Sequence, residues 1–206
     1  MTPSDFPPST LPAKLVNALY AAAALRPRAS MGELAVLAGI SRATLHRYCG
    51  TRDNLDSQLE QHAKDTLMHI LDNSGTLACR EPLAALRQLI HAHLAQGELI
   101  AFLASRYPVH MSVQHDLRFY LERLDALFAS GQRQGVFRAD VTAALLTEMF
   151  VSLLHGMVDA RQRGARQESV QRCWRARFYR ALPRGRPIER PRRATAVKTY
   201  CVKGRE

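Results

Sequence analysis

The chain has 206 residues, 47% of them hydrophobic, and a formal net charge of +11 at pH 7. It is long enough to bury a full hydrophobic core, and its most apolar long stretch, 141–158, is interrupted by Glu148 and His155, so no membrane span is predicted. Residues 1–10 lack the basic and apolar regions of a secretory signal, and the four cysteines form no CxxC pair, which disfavours a disulfide framework or a zinc knuckle. We therefore expect a reduced, cytoplasmic protein.

The positive charge is unevenly distributed along the chain. Residues 161–206 carry 15 Lys and Arg against 3 Asp and Glu, residues 1–52 carry 6 against 2, and residues 53–160 carry 8 against 13. A basic front end is thus joined to an acidic middle, and of these two parts only the front end suits phosphate contact. Residues 183–206 form a basic tail without apolar periodicity, which predicts disorder. The tail either attracts DNA without sequence preference or is simply a solvated end, and we prefer the second interpretation.

Apolar residues recur at spacings of three and four almost throughout, and the alternation typical of strands is missing, so the sequence predicts an all-α protein. About nine helices are expected, over residues 11–25, 31–39, 42–49, 52–73, 82–96, 97–106, 111–134, 140–164 and 167–182. Ser30 with Glu33 reads as a capping box, Ser41 and Thr51 as N-caps, and Pro82 as the first residue of a helix. The expected domains are a disordered start over 1–10, a helix-turn-helix domain over 11–52, a helical effector-binding and dimerisation domain over 53–182, and the tail.

The short helices within residues 31–50 are predicted to form a helix-turn-helix, because the interior and turn positions of that motif carry suitable residues. These positions are Leu34, Ala35, Ala38, Gly39, Ile40, Leu45 and Tyr48. The motif presents its second helix at the protein surface, so the residues of that helix that do not face inward become candidates for DNA contact.

The second short helix is predicted to enter the major groove with its N-terminal end against the base edges. The outward residues at that end are Ser41, Arg42, Ala43, Thr44, His46 and Arg47. Arg42 is the candidate base reader, because a guanidinium can contact guanine O6 and N7 together. Thr44, Arg47 and Tyr48 can reach phosphates. Arg52 begins the next helix, where its charge and the free N–H groups together predict a phosphate site.

Residues 31–55, MGELAVLAGISRATLHRYCGTRDNL, resemble the DNA-binding signature of the TetR family of transcription regulators. The resemblance implies phosphate contacts for Thr44, Tyr48 and Arg52, and base-facing positions for Arg42 and Ala43. Three positions depart from the usual pattern: His46 replaces a phosphate-contacting Tyr, Cys49 replaces Phe, and Arg52 replaces Lys. His46 and Arg52 can still contact phosphate, whereas Cys49 fills less space than Phe.

The resemblance also implies a repressor that binds an inverted-repeat double-stranded DNA operator as a homodimer and is released by a small apolar effector. Pairing through the last two helices makes Leu146, Leu153, Met157 and Trp174 candidates for the dimer interface. The chamber expected between the central helices makes His91, Phe102, Tyr107, His110, Met111, Tyr120, Phe150 and His155 candidates for the effector site. Both sets of side chains could equally be ordinary core or surface residues. The helix over 52–73 would connect the pocket to the DNA.

Two other classes of function stay open at this point. No Ser-His-Asp order, phosphate-binding glycine loop or pair of carboxylates indicates an enzyme, but eight histidines, including His110 and His115, keep a helical enzyme possible. A helical interaction protein that never binds DNA is the other alternative. No cofactor is predicted, and no metal site either, because His91 and His93 are two residues apart and point to different faces of a helix.

Overall fold

The computed structural model describes residues 11–75, 81–107 and 117–164, and these residues contain eight α-helices and no strand. The helices are α1 (Ala13–Leu25), α2 (Met31–Leu37), α3 (Arg42–Cys49), α4 (Arg52–Asn73), α5 (Pro82–Ala95), α6 (Gly97–Arg106), α7 (Arg118–Arg133) and α8 (Ala143–Gln162). The all-α prediction is confirmed. The ninth helix expected over 167–182, the start over 1–10 and the tail over 183–206 all lie outside the described residues.

Side-chain caps set the starts of α2, α3 and α4 where the sequence predicts them. The Ser30 hydroxyl accepts from the Glu33 N–H at 3.3 Å, and the Glu33 carboxylate accepts from the Ser30 N–H at 2.7 Å, completing the capping box. Ser41 Oγ accepts from the Thr44 N–H at 3.0 Å. Thr51 Oγ1 accepts from the Asn54 N–H at 3.2 Å.

The start of α8 differs from the sequence prediction by three residues. Thr142 is the N-cap, because its hydroxyl accepts from the Leu145 N–H at 3.2 Å. Asp140, expected to open the helix, instead accepts from Arg138 Nε at 2.6 Å within the turn that follows α7. Gln132 closes this turn by donating to the carbonyls of Arg138 at 2.9 Å and Val141 at 2.8 Å.

Helix α1 connects α2 and α3 to the rest of the protein. The Tyr20 ring of α1 lies 4.9 Å from the Phe102 ring of α6, measured between centroids. The Tyr20 hydroxyl donates to the Leu59 carbonyl of α4 at 3.0 Å. Helices α1, α2 and α3, the DNA-binding unit, therefore pack on α4 and α6 through α1. A displacement of α4 or α6 changes the position of this unit.

Helix α8 packs against α6 and α7 and supplies Leu146, Phe150 and Leu154 to the core. Among the described helices it is the one whose length and apolar composition would suit a membrane span. The core helix of a soluble protein can have the same length and apolar composition, so these two properties do not by themselves indicate a membrane span.

Candidate functional site

Helices α2 and α3 form the helix-turn-helix predicted from the sequence. Gly39 adopts φ +73° between them, and the Ile40 N–H donates to the Ala35 carbonyl at 2.9 Å, which closes the turn. Leu34, Ala35 and Leu45 are completely buried between the two helices and their neighbours. This buried support fixes α3 on the surface of the protein.

The side chains predicted to meet DNA lie on the outer side of α3 or at its edges. Ser41, Arg42, Ala43, His46 and Arg47 are exposed, and Thr44 and Tyr48 are half-buried. The Ser41 hydroxyl also lies 2.8 Å from Thr44 Oγ1, so these two side chains already bond to each other at the helix start. The Arg47 guanidinium carbon lies 6.0 Å from the centre of the Tyr48 ring, at the outer limit of a cation–π contact.

Cys49, which stands at the inner side of α3, has a packing role. It is buried, and its thiol lies 3.7 Å from Gln58 Oε1 of α4, a distance compatible with a weak S–H hydrogen bond. Burial raises the pKa of Cys49 to about 11, so the side chain is an uncharged thiol at neutral pH.

Arg52 begins α4 as predicted, but its guanidinium has protein partners that the sequence did not reveal. Its Nε donates to Asp56 Oδ1 at 3.0 Å, its Nη2 donates to the Pro27 carbonyl at 3.1 Å, and its Nη1 donates to the Ala29 carbonyl. The guanidinium therefore faces the connection between α1 and α2, and 23% of the side chain is exposed.

A cavity of about 50 Å³ lies among α4, α6, α7 and α8. Its wall is almost entirely apolar and consists of Leu67, Ile100, Leu103, Tyr107, Leu117, Tyr120, Leu121, Val151, Leu154 and His155. Tyr107, Tyr120 and His155 are among the residues that the sequence offered for an effector site, whereas the seven aliphatic residues of the wall were not. Burial lowers the pKa of His155, which favours the neutral imidazole in this wall.

Three of the predicted effector contacts lie elsewhere. Phe102 faces Tyr20 of α1, and Phe150 packs in the core with its ring centre 6.3 Å from that of Phe128. His91 is exposed on the outer face of α5. These three candidates do not line this cavity, because a helical stripe does not reveal which neighbouring helix a side chain meets. His110 and Met111 lie outside the described residues.

His93 forms a buried hydrogen-bonded pair with the cavity residue Tyr120 that the sequence did not reveal. His93 Nδ1 lies 2.7 Å from the Leu89 carbonyl, which can only accept, so Nδ1 carries the proton. His93 Nε2 then accepts from the Tyr120 hydroxyl, 2.7 Å away. Burial lowers the pKa of His93 to about 4, and the ring is neutral.

Comparison with known proteins gives two sequence relatives. The chain is 48% identical over 155 residues to the HTH-type transcriptional regulator NfxB of Pseudomonas aeruginosa, covering 73% of this chain and 82% of that protein. It is 29% identical over 90 residues to the HTH-type transcriptional repressor LfrR of Mycolicibacterium smegmatis, covering 43% of this chain and 47% of LfrR. No family model matches the chain.

The fold of this chain is similar to those of solved structures of TetR-like regulators. The TetR-like regulator LfrR, in complex with proflavine, aligns with a TM-score of 0.60 at 20% identity, over 82% of this chain and 94% of that chain. The TetR family regulator PfmR of Thermus thermophilus aligns at 0.53 and 24% identity, over 84% and 97%. The chain belongs to the TetR family. It is a transcription regulator and not an enzyme, which removes the catalytic alternative left open by the sequence.

Two of the residues predicted for the dimer interface of this TetR-family chain are buried within the protomer. Leu146 is only 1% exposed and Met157 is also buried, so both belong to the core of the protomer and cannot form its surface. Leu153 is half-buried, and Trp174 lies outside the described residues. The large apolar side chains of α8 that are exposed are instead Leu145 and Met149, at 47% and 38% exposure.

No metal centre was expected in this regulator. Within residues 11–75, 81–107 and 117–164, no three His, Cys, Asp or Glu side chains stand close enough to hold a metal ion.

Proposed function

We propose that this chain is a repressor that binds an inverted-repeat operator as a homodimer and releases it when a small apolar molecule occupies the cavity. The observation that carries the DNA-binding part is the exposure of the N-terminal half of α3 above a completely buried support. A helix held in this way can enter the major groove with its first turn against the bases.

The residues of α3 divide into two roles in this proposal. Arg42 and Ala43 face the base edges, and Arg42 can contact guanine O6 and N7 with its planar fork. Thr44, His46, Arg47 and Tyr48 contact phosphates beside the groove, with Ser41 at the helix start, and so fix the position of α3 without reading sequence.

The homodimer follows from the small footprint of one recognition helix. Two half-sites about one helical turn apart give a protein of this type its specificity. Leu145, Met149, Ser152 and Gly156 recur at helical spacing on the exposed face of α8, and we propose that this face pairs with the same face of a second protomer. With double-stranded DNA as its partner, the protein acts in the cytoplasm.

The effector site is the apolar cavity, and its size supports a ligand-induced change. Sites for small molecules typically measure about 300–1,000 Å³, whereas this cavity has about 50 Å³. A ligand must therefore push its walls apart. Ile100 and Leu103 of α6 belong to this wall, while Phe102 on the same helix packs against α1. A ligand that displaces α6 thereby favours a position of the DNA-binding unit that no longer fits the operator.

Selection of bound duplexes from a random pool tests the DNA-binding part of the proposal. Wild-type protein is expected to enrich an inverted repeat, and Arg42→Ala to lose about 1–3 kcal/mol of operator binding together with preference at one position per half-site. Arg118→Ala is the matched control, because it removes the same charge from an exposed position on α7. Retention of all sequences alike, abolished by modest salt, would show binding by charge alone.

Proflavine is a reasonable first probe for the cavity, because a solved structure of the TetR-like regulator LfrR contains it. Its fluorescence in the absence of DNA reports binding to this chain. Because proflavine is a planar cation that also intercalates into duplex DNA, operator affinity with and without it is compared between wild type and Val151→Trp, and only the difference between the two proteins is assigned to the cavity. Val151→Trp, which fills the cavity wall, is expected to weaken both proflavine binding and the loss of operator affinity. Tight binding that leaves operator affinity unchanged would contradict the proposed coupling.

A further inference from the structure

Asp56 of α4 lies between two arginines from different parts of the protein. Its Oδ1 accepts from Arg52 Nε at 3.0 Å, and its Oδ2 lies 3.3 Å from Arg106 Nη1. Only 18% of the Asp56 side chain is exposed, so both ion pairs are screened less than pairs on an open surface. The carboxylate thus connects the first turn of α4 to the last turn of α6.

Arg52 extends this connection to the helix-turn-helix. Its two Nη atoms donate to the carbonyls of Pro27 and Ala29, which belong to the connection between α1 and α2. Ser30, the N-cap of α2, follows directly. Three donors pointing in three directions from one plane are a property of arginine, and a lysine ammonium cannot reproduce that geometry.

Arg106 extends the connection to the cavity. Its Nε donates to Glu60 Oε1 of α4 at 2.7 Å, and its guanidinium carbon lies 5.9 Å from the centre of the Phe102 ring. On α6 it stands between Leu103 and the adjoining Tyr107, both of which line the cavity. Any displacement of that end of α6 therefore changes the distance between Arg106 and the two carboxylates of α4.

We propose that Arg106, Glu60, Asp56 and Arg52 form a continuous ionic chain that sets the orientation of the helix-turn-helix relative to the cavity. In this chain Arg52 is a positioning residue for operator binding, and it is not the phosphate contact that its place at the start of α4 indicates. The part of the proposal that concerns operator affinity rests on the proposed function, whereas the connection between α6 and α2 does not.

Arg52→Lys separates the two roles of Arg52, because lysine keeps the charge for a phosphate but loses the three-way fork. A positioning role is expected to make Arg52→Lys and Arg52→Gln lower operator affinity to a similar extent, about fivefold or more, with the salt dependence of binding unchanged. A phosphate contact would instead leave Arg52→Lys near wild type, while Arg52→Gln would reduce the slope of log affinity against log salt by about 0.9. That second result overturns the assignment.

Arg106→Gln tests the far end of the chain. We expect it to lower operator affinity about as much as Arg52→Lys does. The double variant should bind the operator as tightly as the single variant with the lower affinity, because both changes break the same connection. Arg118→Gln is the control: it removes an equal charge from an exposed i,i+4 pair with Glu122 on α7. Additive losses, or equal losses in Arg106→Gln and Arg118→Gln, would contradict the chain.

Amide hydrogen exchange without DNA keeps this test independent of the proposed function. Arg106→Gln is expected to speed exchange of the backbone N–H groups over residues 28–35, and Arg118→Gln to leave them unchanged. Unchanged exchange over this segment in Arg106→Gln would refute the ionic chain even if operator binding is found. Faster exchange without any selected operator would instead support the chain and contradict the proposed function.

Discussion

Replacing Gly39 with alanine tests the turn on which the position of α3 depends. Gly39 has φ +73°, and apart from its two chain neighbours no residue has a heavy atom within 4 Å of the place where a Cβ would stand, so the substitution introduces backbone strain without a clash. The left-handed conformation costs an ordinary L-residue about 1–2 kcal/mol. Alanine also lowers the conformational entropy of the unfolded chain, which stabilises the folded protein by about 0.4–1 kcal/mol. We therefore expect Gly39→Ala to lower the free energy of unfolding by about 1 kcal/mol.

Thermal unfolding at one fixed protomer concentration measures this loss, and a chain of this size should show a fall in Tm of about 2–4 °C for each kcal/mol. Gly39→Asn is the matched variant, because asparagine tolerates positive φ better than alanine does. The Tm of Gly39→Asn should lie between those of wild type and Gly39→Ala. Operator affinity is expected to follow the same order. A Gly39→Ala protein as stable as wild type would show that the turn does not hold the left-handed conformation from which the placement of α3 is argued.

Three further predictions follow from the core, the buried histidine and α8. Gly131→Ala would place a Cβ in steric conflict with the buried Phe137 ring, so the free energy of unfolding should fall by about 1–3 kcal/mol, and the additional change Phe137→Leu should recover part of this loss. Because the pKa of His93 is lowered to about 4 in the folded protein, the unfolded chain takes up the proton first as pH falls below about 6.5. Stability should therefore decrease by up to about 3 kcal/mol between pH 6.5 and 4, and denaturant titrations of His93→Gln should show a shallower dependence. Met149→Asp should shift the protein from dimer to monomer in sedimentation, whereas Met68→Asp, at a similar 37% exposure on α4, should not, and a dimeric Met149→Asp protein would place the interface elsewhere.

The features that the sequence predicted correctly depend on neighbouring residues. Ser30 and Glu33 complete a capping box within one helical turn, and Ser41 and Thr51 cap their helices through the third residue that follows. The helix-turn-helix was predictable for the same reason: a glycine turn and a few small or apolar positions specify it within twenty residues. Such signals do not depend on how distant helices are arranged.

The features that were missed depend on that arrangement. Phe102 and Leu103 are neighbours in sequence, yet one packs on α1 and the other lines the cavity. Leu145 and Leu146 divide in the same way between solvent and core. The apolar pattern marked these segments as amphipathic without indicating which helix each side would meet. Arg52 shows the same limit for charge, because its carbonyl partner Ala29 lies 23 residues away.

The most direct measurement of the central claim is methylation protection of guanine N7 on a selected operator, because this atom lies in the major groove. If α3 reads the groove, wild-type protein should protect guanines in two patches about 10 base pairs apart. Arg42→Ala should lose protection of one guanine in each patch, and Arg118→Ala should lose none. Bound protein that leaves every guanine N7 reactive would contradict the assignment of α3 as the recognition helix.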